Sequence, residues 1–175
     1  MGWVVQLMTV LGVLSGQSTA TFSAVRNLPP APPQMSIVCH DAVWEQEDLK
    51  NVAGSQVHKK LAPFIDALLA ETTKDNVSMY ITVAYRNCPY QLQLRSANCG
   101  LGDYNLYIRP SNLCEPPTEP ASKSMHNEGL AIDFACYGYD LFEYSPCFTW
   151  LKQHALTYHL QNHAIEAWHW STTGI

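Results

Sequence analysis

The chain has 175 residues, enough for one domain with a substantial core and too few for two ordinary domains with linkers. Hydrophobic residues make up 47% of the chain, charged residues only 14%, and the formal net charge is -5. This balance excludes a surface whose affinity comes from Lys and Arg neutralising phosphates, so nucleic acid is not an expected partner.

The first 34 residues predict a leader and a linker. An apolar run within residues 1–24 has the length of a signal-peptide core, is followed by small residues that suit cleavage, and is too short for a membrane span. The first positive charge is Arg26, so the basic start of a signal peptide is missing and a terminal helix is the alternative. "NLPPAPPQ" then predicts a stiff, extended linker. We expect the functional domain to span residues 35–175, with membrane contact only through an uncleaved leader.

The first half of this domain predicts a helix, a strand and a long loop. Apolar residues at helical spacing favour a helix within residues 57–75, despite Pro63. Alternating and β-branched residues at 77–86 predict a strand that ends at Arg86. Residues 87–123 are rich in Pro, Asn, Ser, Gly and Cys and predict a loop, with at most a short helix at "YQLQLR".

The second half predicts two more strands around a helix. The strands are expected at residues 130–137 and 164–170, and the helix over 146–160. This order favours the α+β class, with a small, largely antiparallel sheet and flanking helices.

The six cysteines form an even set without a C-x-x-C pair, which favours disulfides over a thiolate zinc site. Many connectivities stay open. The pairs Cys99–Cys114 and Cys136–Cys147 would each close a local loop, which leaves Cys39 and Cys88. Six reduced thiols in a cytosolic protein are the alternative, and the apolar leader favours oxidation and an extracytoplasmic location.

The segment "SMHNEGLAIDF" carries two potential metal ligands among small residues. In an extended strand Gly129, Ala131 and Asp133 share one face, while the intervening apolar residues face the core. The small residues beside Asp133 would leave room for a metal and a substrate. His126, just before the strand, could fold over the same face.

Together with His126 and Asp133, His169 completes a set of two imidazoles and a carboxylate. This set suits zinc with the fourth position left for water. Glu166, three residues before His169, is available as a general base. Strand alternation puts Glu166 and His169 on opposite faces, so a bend, a bulge or the strand end must bring them together. Each residue alone is more often structural, but the four together favour a metal site.

The segment "HLQNH" offers a different pair, His159 and His163, at helical i, i+4 spacing. The zincin motif needs a Glu directly after the first His, and Leu160 occupies that position. We therefore interpret the two histidines as structural or exposed.

Two motifs resemble a known family. The pattern S-x-H-x-x-G-x-A-x-D ends at Asp133, and E-x-W-H ends at His169. Together they closely resemble the VanY-type D-alanyl-D-alanine carboxypeptidases, part of a wider group of zinc peptidases that includes lysostaphin-like enzymes and the hedgehog signalling domain. The resemblance covers residues 61–174. It implies an α+β fold, one catalytic zinc (Zn2+) and peptide substrates from bacterial cell walls.

The resemblance extends to an upstream substrate-binding segment, Y-R-S-x-x-x-Q. "YRNCPYQ" matches it at Tyr85, Arg86 and Gln91. Asn87 stands in place of the usual serine and Val83 in place of a serine that often precedes the tyrosine, so the shape of the substrate pocket differs from the family pattern. From chemistry alone, an Arg at a strand end can form a bidentate contact with a carboxylate, although an ordinary surface ion pair is the alternative.

The sequence thus predicts a secreted or envelope-facing, monomeric zinc metallopeptidase that hydrolyses peptidoglycan stem peptides, with a D-alanyl-D-alanine-type carboxypeptidase favoured. Glu166 would be the catalytic base, and Arg86, Gln91, Ser124 and Trp168 would bind the substrate. The alternatives are an endopeptidase or lysin with the same site, and a non-catalytic zinc-containing binding module. A structural zinc needs no base and is usually fully ligated by protein, so Glu166 argues against the binding module.

Overall fold

The computed structural model describes residues 48–121 and 123–175, so the predicted leader, linker and Cys39 lie outside the described residues. Seven strands and three helices follow in chain order: β1 (Leu49–Val52), β2 (Ser55–His58), α1 (Ala62–Lys74), β3 (Met79–Val83), α2 (Cys88–Cys99), β4 (Ala131–Cys136), β5 (Tyr139–Asp140), α3 (Pro146–His154), β6 (Gln161–His163) and β7 (Glu166–Ser171). No helix in this part of the chain is long and apolar enough to cross a membrane.

The strands form a five-stranded sheet and a separate hairpin. In the larger sheet the order is β3-β4-β7-β6, with β5 on the free end of β4, and every pairing is antiparallel. Strands β1 and β2 form the hairpin. The predicted α+β class with a largely antiparallel sheet is confirmed. Strand β4 is central, and the register aligns Asp133 with His169 on β7.

Helices α1 and α3 bury apolar side chains in the core beside the sheet. Ile65 and Leu68 of α1 and Leu151 of α3 are almost fully buried, and each such side chain stabilises the fold by about 1.5–3 kcal/mol. Pro63 does not interrupt α1 because it lies in the first turn, where backbone N–H groups have no helical partner.

Helix α2 lies where the sequence predicts a loop with a possible short helix at "YQLQLR", so the loop prediction is wrong for residues 88–99 and the helix is longer than expected. Asn and Pro, which are common in loops, are also favoured at the start of a helix. Here the Asn87 side chain accepts a hydrogen bond from the Tyr90 N–H at 3.0 Å, and Pro89 lies in the first turn. An N-cap of this kind stabilises a helix by about 1 kcal/mol. The helix is 12 residues long, twice the length of "YQLQLR".

The segment after α2 is organised around a buried cation. Arg95 is 0% exposed, and its guanidinium donates hydrogen bonds to the carbonyl groups of Asn105, Thr118 and Arg109. Burial of a charged group is costly unless it is hydrogen-bonded, and these carbonyls supply that compensation. The Cys99–Cys114 disulfide closes the same segment.

The disulfide pairs Cys99–Cys114 and Cys136–Cys147 are formed, as predicted. Cys88 is also disulfide-bonded. Its predicted partner, Cys39, lies outside the described residues. Oxidised cysteines are typical of proteins outside the reducing cytosol.

The predicted helix over residues 146–160 is shorter than expected. Helix α3 ends at His154, a single 3-10 turn covers Ala155–Tyr158, and His159 has a left-handed φ of 60°. The chain then enters β6, so His159 and His163 do not share a helix face. The short strands β1, β2, β5 and β6 have no counterpart in the sequence prediction, because they lack a long apolar pattern.

Gly129 belongs to a turn and not to the strand face where it was expected. Its φ is +64°, and its carbonyl accepts a hydrogen bond from the His58 N–H at 3.0 Å. A Cβ at this position would lie 2.8 Å from the His58 backbone nitrogen. The glycine therefore lets the hairpin approach the turn that carries His126, and strand β4 begins only at Ala131.

We expect Gly129→Ala to destabilise the protein more than Gly138→Ala. Both glycines have positive φ, a conformation that costs an L-residue about 1–2 kcal/mol, but nothing lies within 4 Å of a Cβ at Gly138. The backbone overlap at Gly129 should add about 1–3 kcal/mol. Urea unfolding of both variants measures the difference, and equal midpoints would contradict the close approach.

Candidate metal centre

Three potential ligands converge where β4 meets β7. His126 lies in the 3-10 turn Met125–Glu128 before β4, Asp133 on β4 and His169 opposite it on β7. His126 Nε2 is 3.1 Å from Asp133 Oδ1 and 3.1 Å from His169 Nδ1, and His169 Nδ1 is 3.0 Å from Asp133 Oδ1. The three residues are 2%, 9% and 8% exposed, so the cluster is buried.

The hydrogen bonds of the two rings determine which nitrogen faces the cluster. His126 Nδ1 lies 2.6 Å from the Ala84 carbonyl oxygen, and His169 Nε2 lies 3.3 Å from the Ile175 carbonyl oxygen. A carbonyl only accepts hydrogen bonds, so each of these nitrogens carries the proton. Nε2 of His126 and Nδ1 of His169 therefore point lone pairs at each other and at Asp133.

Three lone pairs this close repel one another, and a cation between them would relieve that repulsion. Zinc ligands at about 2.0–2.2 Å in a tetrahedral arrangement are about 3.3–3.6 Å from one another, close to the spacing observed. The set of two imidazoles and one carboxylate leaves one tetrahedral position unfilled by these residues. The residues therefore fit a catalytic metal better than a closed structural one.

The electrostatics keep the ligands in their metal-binding forms. Burial would raise the pKa of Asp133, but when the imidazoles are protonated their hydrogen bonds to the carboxylate outweigh burial and hold that pKa well below the usual range. Burial lowers the pKa of His126, although Asp133 opposes this effect. A charged carboxylate and a neutral imidazole are the protonation states that a metal requires.

Arg86 lies against the outer oxygen of the Asp133 carboxylate. Its Nη2 is 3.6 Å from Asp133 Oδ2, and its Nη1 donates to Gln91 Oε1 at 2.9 Å. Gln91 Nε2 donates in turn to the Glu119 carbonyl at 2.8 Å, and Gln91 is 1% exposed. Both ends of this amide are engaged by protein, so Gln91 fixes Arg86. The buried Arg86 Nε has no hydrogen-bond partner within the described residues and remains available to a ligand.

The backbone around Arg86 is tied to the turn that carries His126. The Arg86 N–H donates to the His126 carbonyl at 3.0 Å, and Asn127 Nδ2 donates to the Arg86 carbonyl at 2.6 Å. The arginine and the first imidazole are therefore held in a fixed relation.

A bulge between β6 and β7 brings Glu166 and His169 into one cavity. The register aligns Asn162 with Trp170 and then His163 with Glu166, so extra residues of β7 lie opposite a single step of β6. Asn162 Nδ2 donates to the carbonyls of Glu166 and His169 at 3.0 and 3.1 Å. This side chain stabilises the bulge. In a regular strand Glu166 and His169 would point to opposite faces, and the bulge is what brings them to the same side.

Burial raises the pKa of Glu166. The nearby His169 and Arg86 act in the opposite direction and lower it, but burial has the larger effect. Its Oε2 lies 3.5 Å from His163 Nδ1. His163 also lines the cavity. The sequence instead pairs it with His159 at helical spacing and predicts both to be structural or exposed. A hairpin interpretation of residues 161–170, with a short strand and a turn before Glu166, would have identified it.

The cavity has a volume of about 320 Å³, the size of a small-ligand site. It contains all eight residues that the sequence predicted for the site: Arg86, Gln91, Ser124, His126, Asp133, Glu166, Trp168 and His169. Ser124 is buried beside the turn, and Trp168 is partly exposed at the wall. Polar residues of α2 and of the segment after it line another part of the cavity: Asn98, Ser111, Asn112 and Glu119.

The sequence over residues 54–175 matches the family model of VanY, D-alanyl-D-alanine carboxypeptidase. The chain belongs to this family. The resemblance inferred from the two motifs is thereby confirmed. No curated protein sequence matches this VanY-family chain significantly.

Three solved structures are similar in fold. VanYB in complex with D-alanine-D-alanine matches with a TM-score of 0.54 and 16% identity, over 70% of this chain and 75% of that one. The vancomycin-resistance D,D-pentapeptidase VanY in complex with Zn(II) has a TM-score of 0.53 and 15% identity, over 70% and 76%. The LdcB LD-carboxypeptidase has a TM-score of 0.51 and 16% identity, over 70% and 61%. At these identities the likeness shows a shared fold.

We expect Asn162→Ala to weaken metal binding about 10- to 100-fold, the usual effect of losing a residue that orients ligands. The bulge that holds His169 would lose its closing hydrogen bonds. Gln161→Ala is the matched control, because this exposed neighbour makes only a 3.4 Å contact with the Thr172 carbonyl. His126→Ala sets the scale for loss of a ligand. Zinc titration against a competing chelator measures all three, and wild-type affinity in Asn162→Ala would contradict this role.

Proposed function

We propose that the chain is a zinc-dependent carboxypeptidase that removes the terminal residue from peptidoglycan stem peptides of the D-alanyl-D-alanine type. The observation that carries the proposal is the meeting of a buried three-ligand metal cluster, a half-buried carboxylate and a half-buried arginine in one cavity. Family membership supports it, as do the fold relatives, which include a VanY bound to Zn(II) and a VanYB bound to D-alanine-D-alanine.

His126, Asp133 and His169 would hold the zinc. A zinc ion in such a site supplies Lewis-acid chemistry, polarising the scissile carbonyl and lowering the pKa of a water molecule to about 7. The hydrogen bonds from His126 to Ala84 and from His169 to Ile175 fix the ring orientations that this requires.

Glu166 would act as the general base and then as the general acid. It takes the proton from the attacking water and passes it to the amine nitrogen of the leaving residue as the peptide bond breaks. Burial raises the pKa of Glu166, which makes its carboxylate a better proton acceptor than an exposed one.

Arg86 would bind the carboxylate at the end of the substrate. Its charge is buried beside Asp133, Gln91 holds one end of the guanidinium, and Nε is unpartnered among the described residues. A planar guanidinium can pair with a carboxylate through two hydrogen bonds. This free donor favours the carboxypeptidase over an endopeptidase, whose substrate has no carboxylate at that position. Ser124 and Trp168 would contact the rest of the peptide.

We place the enzyme outside the cytoplasm, secreted or facing the cell envelope, as a monomer. The disulfides support this location, because such bonds persist in oxidising compartments.

Defined stem peptides with a free or an amidated C-terminus test the proposal. We expect the wild-type protein to release the terminal residue from the free peptide, to leave the amidated peptide intact, and to lose activity with a chelator. Mass spectrometry identifies the products. Arg86→Ala should raise KM for the free peptide while zinc content stays unchanged.

Cleavage of both peptides at equal rates would identify an endopeptidase instead. Absence of cleavage of either peptide by the zinc-loaded wild type, together with binding, would favour a non-catalytic zinc module.

Glu166→Gln should lower kcat by about 100- to 10,000-fold, the usual contribution of a general acid–base group. Glutamine has nearly the same size as glutamate, and residue 166 is not one of the three potential metal ligands. Zinc content and peptide binding should therefore stay near wild type. Glu128→Gln, a change of another carboxylate near the His126 turn, is the matched control. Wild-type turnover by zinc-loaded Glu166→Gln would show that another residue is the base.

A further inference from the structure

His163 stands opposite Glu166 across the β6–β7 pair. The register aligns the two residues, and His163 Nδ1 lies 3.5 Å from Glu166 Oε2. That nitrogen is buried and makes no hydrogen bond to any described residue. The side chain is 26% exposed and lines the cavity. A buried polar atom that faces a carboxylate and has no other partner calls for a functional explanation.

The surroundings limit how the His163 ring can move. It packs edge-to-face with the ring of His169, with centroids 5.7 Å apart and an interplanar angle of 82°. The neighbouring Asn162 side chain fixes the bulge through the Glu166 and His169 carbonyls. The imidazole is therefore held between the carboxylate of Glu166 and one ligand of the metal cluster.

His163 does not belong to the metal cluster itself. The atoms of His126, Asp133 and His169 lie within 4.8 Å of one another, and His163 is not in that group. Its Nδ1 lies 3.5 Å from the Glu166 carboxylate instead.

We propose that His163 is a positioning residue for Glu166: its Nδ1–H donates a hydrogen bond to Oε2 and holds the carboxylate in the orientation that proton transfer requires. This inference rests on the proposed role of Glu166 as the base. The 3.5 Å separation is a few tenths of an ångström beyond a hydrogen bond, and catalytic hydrogen bonds are often long before substrate binds.

The reason that Glu166 needs a partner is its flexibility. A free glutamate side chain loses rotamer entropy when it is fixed in one conformation. Within the described residues, the Glu166 side chain makes no hydrogen bond, and its ion-pair contact is with His163. A carboxylate that is already fixed reacts without this cost in the transition state.

Two amide substitutions separate the roles of the two ring nitrogens. The amide nitrogen of an asparagine occupies the δ position, like Nδ1, whereas that of a glutamine occupies the ε position, like Nε2. His163→Asn should therefore retain most of the activity, while His163→Gln and His163→Ala should lower kcat about 10- to 100-fold with little change in KM. His159→Asn is the matched control, since asparagine tolerates the left-handed φ of 60° at this position.

A double-mutant cycle distinguishes positioning from a merely structural role. If His163 acts through Glu166, then His163→Ala should lower kcat no further in the Glu166→Gln background. Zinc content and thermal stability of each variant are measured alongside. Additive losses, or activity restored by Gln but not by Asn, would overturn the proposal.

Crystal structures of the zinc-loaded wild type, His163→Asn and His163→Ala provide a readout that needs no turnover. We expect the Glu166 carboxylate in one position in the first two and displaced in the third. An undisplaced carboxylate in His163→Ala would overturn the positioning role even if the enzyme is active. If the wild type cleaves no stem peptide, the proposed function fails, and these structures still decide whether His163 holds Glu166.

Discussion

The site depends on the convergence of three electron-rich atoms in a buried corner of the sheet. The register that sets Asp133 opposite His169 brings a carboxylate oxygen and an imidazole lone pair to 3.0 Å, and the turn before β4 adds the second imidazole. Such an arrangement is unfavourable in a low-dielectric interior without a cation. The outward hydrogen bonds, from His126 to the Ala84 carbonyl among others, keep each ring from turning away.

Asp133 connects the ligand cluster with Arg86, the proposed substrate-binding residue, because its two oxygens face different partners. Oδ1 faces the imidazoles, while Oδ2 lies 3.6 Å from the guanidinium of Arg86. Gln91 then joins Arg86 to the backbone at Glu119. The position of the arginine is thus set by the same carboxylate that faces the metal site. One side chain determines the distance between the two reactive regions, a distance that catalysis must control within a fraction of an ångström.

The sequence predicted the α+β class, the strand that carries Asp133, two disulfides and the residues that meet in the cavity, because each of these leaves a local pattern. It did not predict α2, since Asn and Pro begin a helix as readily as they interrupt one. It missed His163 because a three-residue polar strand carries no apolar periodicity. The requirement for Gly129 comes from the backbone of His58, far away in sequence. Contacts of this kind appear only when distant segments are brought together.

The part of the cavity wall that follows α2 is stabilised by different interactions from the part that carries the three potential metal ligands. Two of the ligands stand on the hydrogen-bonded sheet and the third in the turn before β4, whereas the wall is held by the buried guanidinium of Arg95 and by the Cys99–Cys114 disulfide. Few apolar side chains in that segment are buried. The two parts can therefore vary independently: changes of length or composition in residues 100–117 would reshape the cavity without moving the ligands. Under the proposed function, selectivity and chemistry would have separate structural foundations in this molecule.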